Sequence, residues 1–429
     1  MKITKYYDIL NYLKNIISNT EFEGHVFSVG GCERDKHLGL QEIKDIDIVV
    51  DLKDGGIKFA KWLNENNYTK GSIVVYENFG TAMFKLKEFP NEEIEVVHTR
   101  KETYRDKNSR NPETAFGTIE EDCFRRDFTI NALYHDISND LDIDLTNMGF
   151  KDLEAHLIRT CSEPDIIYSD DPLRIMRAIR FSSKLSFELD EKTVEGIKKN
   201  AYRLDIISRE RITDEFNKIL LSANPSYGLK LLFDYGIIDV IMPDVYTKDE
   251  KEAIMEKFPS LVKSYRYSLT LALGFLFNNR IITSEIREKV MKEFKYSNEI
   301  IKEVNLYGTY SWQIITACAF ENANKIREIA KICGNELKFR SVLAISQSLA
   351  YNEEASYLDF VNNVSDINVM FGYELPVTGE DVMEILDIES GKKVGEILRK
   401  IMEEAYKNPK INRKDCIKLM RKFYKNGKE

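Results

Sequence analysis

The sequence predicts an α+β protein: a head of mixed sheet and helices, followed by an all-α remainder. Strand-like runs rich in β-branched and aromatic residues, bounded by turn signals, are confined to the part before about residue 145. Beyond about residue 150, apolar residues recur at helical spacing to the C-terminus. Glycine and proline, at 21 and 9 of 429 residues, are scarcer than the usual ~12%, as expected of a helix-rich chain without a low-complexity linker.

The elements follow in order. Residues 4–19 read as an amphipathic helix and Val26 to Val29 as a short buried strand, broken by Gly30-Gly31 before a helical stretch to Leu38. Asp45 to Val50 reads as a second strand and Ile57 to Asn66 as a helix. Gly71 to Tyr76, Ala82 to Leu86 and Ile94 to Thr99 are spaced like neighbouring strands, with Gly80 and Pro90-Asn91 as turns. Residues 100–118 carry Arg100, Lys101, Arg105, Lys107, Arg110 and Pro112 and read as a mobile basic loop. Helical patterns then cover 172–184, 191–201, 209–222 and 226–236.

Composition sets the outer bounds. Hydrophobic residues at 43% and charged residues at 31% supply a sizeable core and exclude global disorder. The longest apolar run, Leu269 to Phe277, is far short of the ~20 residues a membrane span needs, and no signal peptide is expected from the amphipathic N-terminus. Cys32, Cys123, Cys161, Cys318, Cys333 and Cys416 are scattered without zinc-ligand spacing, as in a cytoplasmic protein with reduced thiols. The net charge of −9 argues against coating nucleic acid by bulk charge. Residues 391–429, however, hold 13 Lys/Arg against 5 Asp/Glu, either a solvated helix face or a contact for a polyanion.

Four constellations could carry chemistry. In the first, Gly30-Gly31 and Arg34-Asp35 precede Asp45-Ile46-Asp47 by about ten residues. Residues at i and i+2 of a strand share a face, so Asp45 and Asp47 present paired carboxylates suited to Mg²⁺. The glycine turn lets backbone N–H groups approach a phosphate, and Arg34 offers a bidentate contact. Together they read as a metal–triphosphate site, although Asp142-Ile143-Asp144, without a glycine turn, shows that a DxD alone is weak and reads as a hairpin or structural element. Glu95 is either the third carboxylate of a two-metal arrangement or an edge-strand glutamate.

The second, Arg125 to Leu133, places two arginines before a possible cap and an amphipathic run, which in isolation reads as a capped helix. In the third, Asp170 or Asp171 caps a helix with Pro172 in its first turn, and Arg174, Arg177 and Arg180 form a ridge that invites an anion. Asp171 and Arg174 also match the edge shared by adenine and cytosine, an amino donor beside a ring-nitrogen acceptor. Uracil and guanine present the reverse, and each unpaired buried polar group costs ~1–3 kcal/mol. The alternative is an ordinary i, i+3 salt bridge. The fourth, Ser208 to Leu220, reads as an N-capped amphipathic helix. No P-loop, kinase signature or HExxH occurs, and His135-Asp136 is the sole His-Asp dipeptide.

In this order the motifs resemble the bacterial class II tRNA nucleotidyltransferase (CCA-adding enzyme) and poly(A) polymerase family, within the polymerase β-like nucleotidyltransferases. Its GGxVRD…DxD is matched by Gly30-Gly31, Arg34-Asp35, Asp45 and Asp47. RRDFTxNA is matched by Arg125 to Ala132, [ED]DPLRxxRAxRF by Asp170 to Phe181, and ERxxxEfxKlL by Glu210 to Leu220. The resemblance implies a polymerase β-like head (1–148), and helical neck (149–222), body (223–300) and tail (301–429). It implies that Asp45 and Asp47 hold Mg²⁺, with Glu95 acidic in the corresponding strand. It further implies that Gly30, Gly31, Arg34, Arg126, Arg177 and Arg180 bind the nucleotide and that Asp171 and Arg174 select its base. The 100–118 loop resembles the element associated with switching from C to A addition, and the basic tail would grip tRNA. The expected activity is CCA addition to tRNA from CTP and ATP, in the cytoplasm and without a membrane, poly(A) addition or a silent RNA-binding role being the alternatives. Glu33 departs from the hydrophobic residue of GGxVRD, and a carboxylate there should repel a triphosphate unless it points away or pairs with a lysine such as Lys36.

Overall fold

The computed structural model describes residues 1–43, 45–77, 80–103, 113–264, 267–320, 322–350, 375–407 and 411–425. Arg105, Lys107, Arg110 and Pro112 of the expected basic loop lie outside them. The chain divides into two compact units, Met1–Met255 with Val290–Tyr296, and Glu256–Lys289 with Ser297–Glu429.

The first unit opens with α1 (Ile3–Ile17), which buries Tyr6, Ile9, Leu10, Leu13 and Ile17 along one stripe, as the i, i+3/i+4 pattern requires. There follow β1 (Val26–Val29), α2 (Gly31–His37), β2 (Ile46–Val50), α3 (Gly55–Glu65), β3 (Val74–Tyr76), β4 (Thr81–Phe84) and β5 (Ile94–His98). After them come β6 (Arg100–Thr103), β7 (Glu113–Phe116), α4 (Ile119–Phe124), β8 (Leu133–Asp136) and β9 (Leu141–Asp144). Seven strands form one sheet in the order β3-β4-β5-β2-β1-β8-β9. Its β2–β5 pair is parallel and the other pairs are antiparallel. The buried stripe of α1 joins Ile46, Ile48, Phe59, Phe84 and Val96 in one core.

The expected strands and helices of the head stand within a few residues of their predicted limits, with two differences. The 100–118 segment is not simply a loop: its ends pair as β6 and β7, from Arg100↔Phe116 to Thr103↔Glu113. A ribbon so polar lacks the apolar alternation that marks a strand. Residues 125–133 do not form a capped helix. A 3₁₀ turn at Thr129–Asn131 leads into β8, whose four residues are all buried, and a strand buried on both faces has no alternation to read. Asp142 and Asp144 stand on β9, the second strand of a hairpin, as expected.

The helical part continues with α5 (Gly149–Glu154), then β10 (Leu157–Ile158), α6 (Pro164–Asp170), α7 (Leu173–Leu185), β11 (Glu188–Leu189) and α8 (Glu191–Asn200). Next come α9 (Arg209–Leu220), α10 (Pro225–Asp234), α11 (Ile237–Ile241) and α12 (Lys248–Val262). The β10–β11 pair is a minor exception to the all-α expectation. Asp171-Pro172 breaks α6 from α7, and the Asp171 carboxylate accepts from the Leu173 N–H at 3.1 Å. Ser208 occupies the N-cap of α9, but its side chain makes no cap hydrogen bond.

The second unit contains α13 (Leu269–Leu276), α14 (Ser284–Glu293, whose last residues belong to the first unit), α15 (Asn298–Ala319), α16 (Ala323–Cys333) and α17 (Glu336–Leu349). It ends in α18 (Gly379–Leu386), α19 (Lys392–Lys407) and α20 (Arg413–Lys425), which share a core of their own including Val382, Ile397, Ile401, Cys416 and Met420. Among the described residues, no helix is long and apolar enough to cross a membrane.

Candidate active site

The strand-to-helix turn at the end of β1 forms one wall. Gly30 adopts φ +85°, ψ −129°, a conformation that residues bearing a Cβ avoid. Its N–H donates to the Leu133 carbonyl at 3.2 Å, and its own carbonyl accepts from the Arg34 N–H at 3.1 Å. A Cβ at Gly30 would stand 3.7 Å from both Asp47 Oδ2 and Arg126 Nη1. The turn therefore leaves open backbone beside a carboxylate and a guanidinium that are remote in sequence. A Cβ at Gly31 would lie 3.7 Å from Arg34 Nη2.

The carboxylates gather through strand register. At the start of β2, Ile46 and Ile48 are buried, while Asp47 between them and Asp45 just before the strand keep access to solvent. Parallel pairing sets Asp47 beside Glu95 on β5. Because β5 lies between β4 and β2, Glu95 is not an edge-strand residue. Burial and the neighbouring Glu95 push the Asp47 carboxyl up to about 6, with Asp45 adding to the rise and Arg126 opposing it. Protein cations leave this acidic group undercompensated.

Glu33 meets the second of the two conditions under which it would not repel a triphosphate: it is fully buried and pairs with Lys36. Tyr6 and Ser28 donate to its Oε1, and Lys36 Nζ lies 2.5 Å from its Oε2. Lys36 also reaches Asp142 at 2.6 Å, so the second DxD anchors this lysine. His135 Nδ1 lies 2.7 Å and His37 Nε2 3.2 Å from Asp142. Glu33, His37 and Asp142 bring ligand atoms within 4.8 Å of one another, but the Lys36 ammonium already bridges the two carboxylates. Burial would lower the lysine, yet Glu33 and Asp142 raise it overall and keep it charged. Cys32, next to the turn, is inert because burial pushes its thiol up to about 12.

Helix α7 supplies the other wall. Arg177 donates to Asp127 Oδ2 from Nε at 2.8 Å and from Nη2 at 2.5 Å. Asp127 Oδ1 accepts from Asn131 at 3.2 Å, and Asn131 Oδ1 accepts from Arg34 at 2.7 Å. This chain joins α7 to the 3₁₀ turn and to α2. Arg34, Arg177 and Arg180 all approach the Phe181 ring, at 5.2, 5.4 and 4.5 Å from its centroid. Arg180 Nε lies 2.9 Å from Glu215. The arginine ridge thus finds its anions in Asp127 and Glu215, contributed by other elements.

The two pairs are not alike. Arg177 is raised, chiefly by Asp127, and Asp127 is lowered because Arg177 outweighs its burial. In the second pair burial prevails: Arg180 is lowered and Glu215 raised. At Arg180 burial thus outweighs the ion pair, whereas at Arg177 the ion pair outweighs burial. At the start of α7, Asp171 Oδ2 lies 2.8 Å from Arg211 Nη2, and Arg174 is buried.

The supports of these arginines were not evident from sequence. Asp122 takes both arginines of the Arg125-Arg126 pair, and its i, i+3 and i, i+4 spacing to them was the available signal. Asp127, Asn131 and Glu215 lie inside quoted motifs, but only the fold reveals their partners. These elements set the Asp47 carboxylate and the Arg126 guanidinium beside the glycine turn at Gly30, and Arg34 beside Gly31.

Comparison with known proteins carries this further. Family models match for a poly(A) polymerase head domain over residues 26–159, for an RNA and SrmB-binding site of polymerase A over 186–248, and for tRNA nucleotidyltransferase domain 2 over 270–420. The CCA-adding enzyme of Ligilactobacillus salivarius is 30% identical over 409 residues, covering 91% of this chain and 90% of that protein. The Thermotoga maritima CCA-adding enzyme complexed with tRNA superposes with a TM-score of 0.77 at 22% identity, over 98% of this chain and 96% of that one. The Bacillus stearothermophilus CCA-adding enzyme in complex with CTP gives 0.66 at 22% identity, over 97% and 98%. The chain belongs to the CCA-adding tRNA nucleotidyltransferase family.

Proposed function

We propose that this protein completes the CCA end of tRNA, transferring CMP and then AMP from CTP and ATP to the 3′ terminus without a nucleic-acid template. The observation that carries the reading is the register of β2 on β5, which sets Asp47 beside Glu95 while Gly30 and Arg126 stand next to Asp47. Family membership and the tRNA and CTP bound by its structural relatives support the substrate classes.

The acidic group fits a divalent cation. All its donors are carboxylate oxygens, the ligands preferred by Mg²⁺, and the raised Asp47 marks negative charge lacking compensation. Asp45 and Asp47 would hold the ion, with Glu95 beside them. Bound there, Mg²⁺ neutralises charge on the transferring phosphoryl group. The open glycine turn at Gly30-Gly31, with Arg34, Arg126, Arg177 and Arg180, holds the triphosphate. Asp171 and Arg174 hydrogen-bond the base edge common to cytosine and adenine, while Arg211 steadies the Asp171 carboxylate. With the nucleotide fixed, the RNA 3′ hydroxyl attacks its α-phosphate and pyrophosphate leaves. The head (1–148) carries the chemistry, the neck (149–222) the base choice and the tail (301–429) the tRNA, with the helical body (223–300) between neck and tail in the chain. We place the enzyme in the cytoplasm, a reading its six unpaired cysteines support.

Incubating the protein with tRNA lacking its terminal CCA, labelled CTP and Mg²⁺ tests this. The wild-type chain should incorporate label, and Asp47→Ala or chelation of the metal should reduce the rate at least about 1,000-fold. A folded Asp47→Ala variant with near-normal rate would contradict it.

A further inference from the structure

We propose that Asp122, outside all four sequence constellations, is the positioning residue that aims Arg126 at the transferred nucleotide. Its carboxylate is fully buried, and its two oxygens serve different neighbours. Oδ2 accepts from Arg126 Nε at 3.1 Å and Nη2 at 2.9 Å, and from the Tyr134 hydroxyl at 2.9 Å. Arg126 Nε also reaches the Tyr134 oxygen at 3.0 Å, and the guanidinium lies over that ring at 5.3 Å from its centroid. One edge of the planar guanidinium is thereby committed. The remaining terminal nitrogen, Nη1, is the atom beside the Gly30 turn, 3.7 Å from where a Cβ would stand.

Oδ1 faces the other way. It accepts from Arg125 Nε at 3.0 Å and Nη2 at 2.5 Å, and from the Arg100 N–H at 3.3 Å. Arg125 Nε also donates to the Arg100 carbonyl at 2.9 Å, at the first residue of β6. The same carboxylate thus fixes Arg126 against the glycine turn through one oxygen and holds the base of the β6–β7 ribbon through the other. An arginine whose fork is preorganised in this way binds a phosphate without first ordering its own side chain.

The inference rests on the nucleotidyl-transfer reading, and steady-state kinetics on tRNA lacking its 3′ CCA separate the two. If wild-type protein extends no RNA, that reading fails and this one with it. If wild type is active, Asp122→Asn should raise the KM for CTP about tenfold or more and leave the KM for RNA within about twofold. Tyr134→Phe, which removes one hydroxyl and keeps the ring, should shift the CTP KM in the same direction by a smaller factor. Arg125→Lys, on the opposite oxygen, should leave it near wild type. A merely structural role would reduce the active fraction, lowering kcat with both KM values unchanged, and that result in Asp122→Asn would overturn the proposal. Should Asp122→Asn fail to fold, an unchanged CTP KM in folded Tyr134→Phe overturns it. A rise in Arg125→Lys equal to that in Asp122→Asn overturns it as well.

Discussion

The Asp47 carboxylate is partly and that of Glu33 wholly withdrawn from water, and their surroundings differ in kind. Asp47 has acidic neighbours and titrates near 6, against 3.8 for an ordinary aspartate. Between about pH 4 and 6 the unfolded chain loses this proton while the folded chain keeps it, so stability falls as pH rises through that window, by up to about 3 kcal/mol. Mg²⁺ should reverse the loss, so the rise in melting temperature on adding Mg²⁺ should be larger at about pH 7 than at about pH 4.5. Thermal melts at the two pH values check this, and an equal rise at both would contradict it. Glu33 instead has Lys36, Tyr6 and Ser28. Removing one charge of a buried pair costs about 3–5 kcal/mol, whereas replacing both costs far less. Denaturant melts should therefore show Glu33→Val and Lys36→Met each destabilising, and the double variant well short of their sum. The pairing of Glu33 with Lys36 was legible because i, i+3 on a helix is a local relation. Its hydroxyl partner on α1 and the link through Asp142 were not, because they depend on how α1 and the β8–β9 hairpin pack.

Secondary-structure elements explain which parts of the site were readable. Two aspartates at i and i+2 point the same way whatever else the chain does, so the face of β2 followed from sequence alone. That Glu95 is their neighbour required the parallel pairing of β2 with β5, across an intervening helix and two strands. The α7 arginines were evident from their spacing, but not their partners Asp127 and Glu215, which come from a turn 50 residues earlier and a helix 35 residues later. The proposed base choice belongs to this element. Asp171→Asn or Arg174→Gln should relax rejection of UTP by about 5- to 150-fold, in line with ~1–3 kcal/mol for one mismatched polar group. Competition between CTP and UTP measures it, and unchanged discrimination would count against the pair. In the second unit, Arg287 is wholly buried and donates to Phe277 O at 2.9 Å, Asn279 at 2.8 Å, Asn305 at 2.8 Å and Thr309 at 2.7 Å. A Cβ at Gly308 would come within 2.6 Å of its Nη1 and 2.8 Å of the Phe277 carbonyl. Gly308→Ala should therefore cost about 1–3 kcal/mol, measured by chemical denaturation, without altering the nucleotide KM.

For the molecule as a whole, charge is divided unevenly: residues 391–429 carry an excess of 8 positive charges in a chain whose net charge is −9. Most of that excess lies on α19 and α20, which with α18 form a self-contained core. Deleting residues 375–429 should raise the KM for tRNA and flatten its salt dependence while leaving the KM for CTP within about twofold. A CTP KM that rises in parallel would contradict a role for the tail confined to RNA. The division into an α/β head and helical remainder was legible because strand signals stop abruptly, whereas the boundary of the second unit, within α12, leaves no compositional mark. The most direct test of the whole account is to supply CTP and ATP together with Mg²⁺ to tRNA lacking its three terminal nucleotides, and to sequence the product 3′ ends. The account predicts growth that stops once C, C and A have been added in that order. A long adenosine tract, or RNA ends left unchanged, would contradict it.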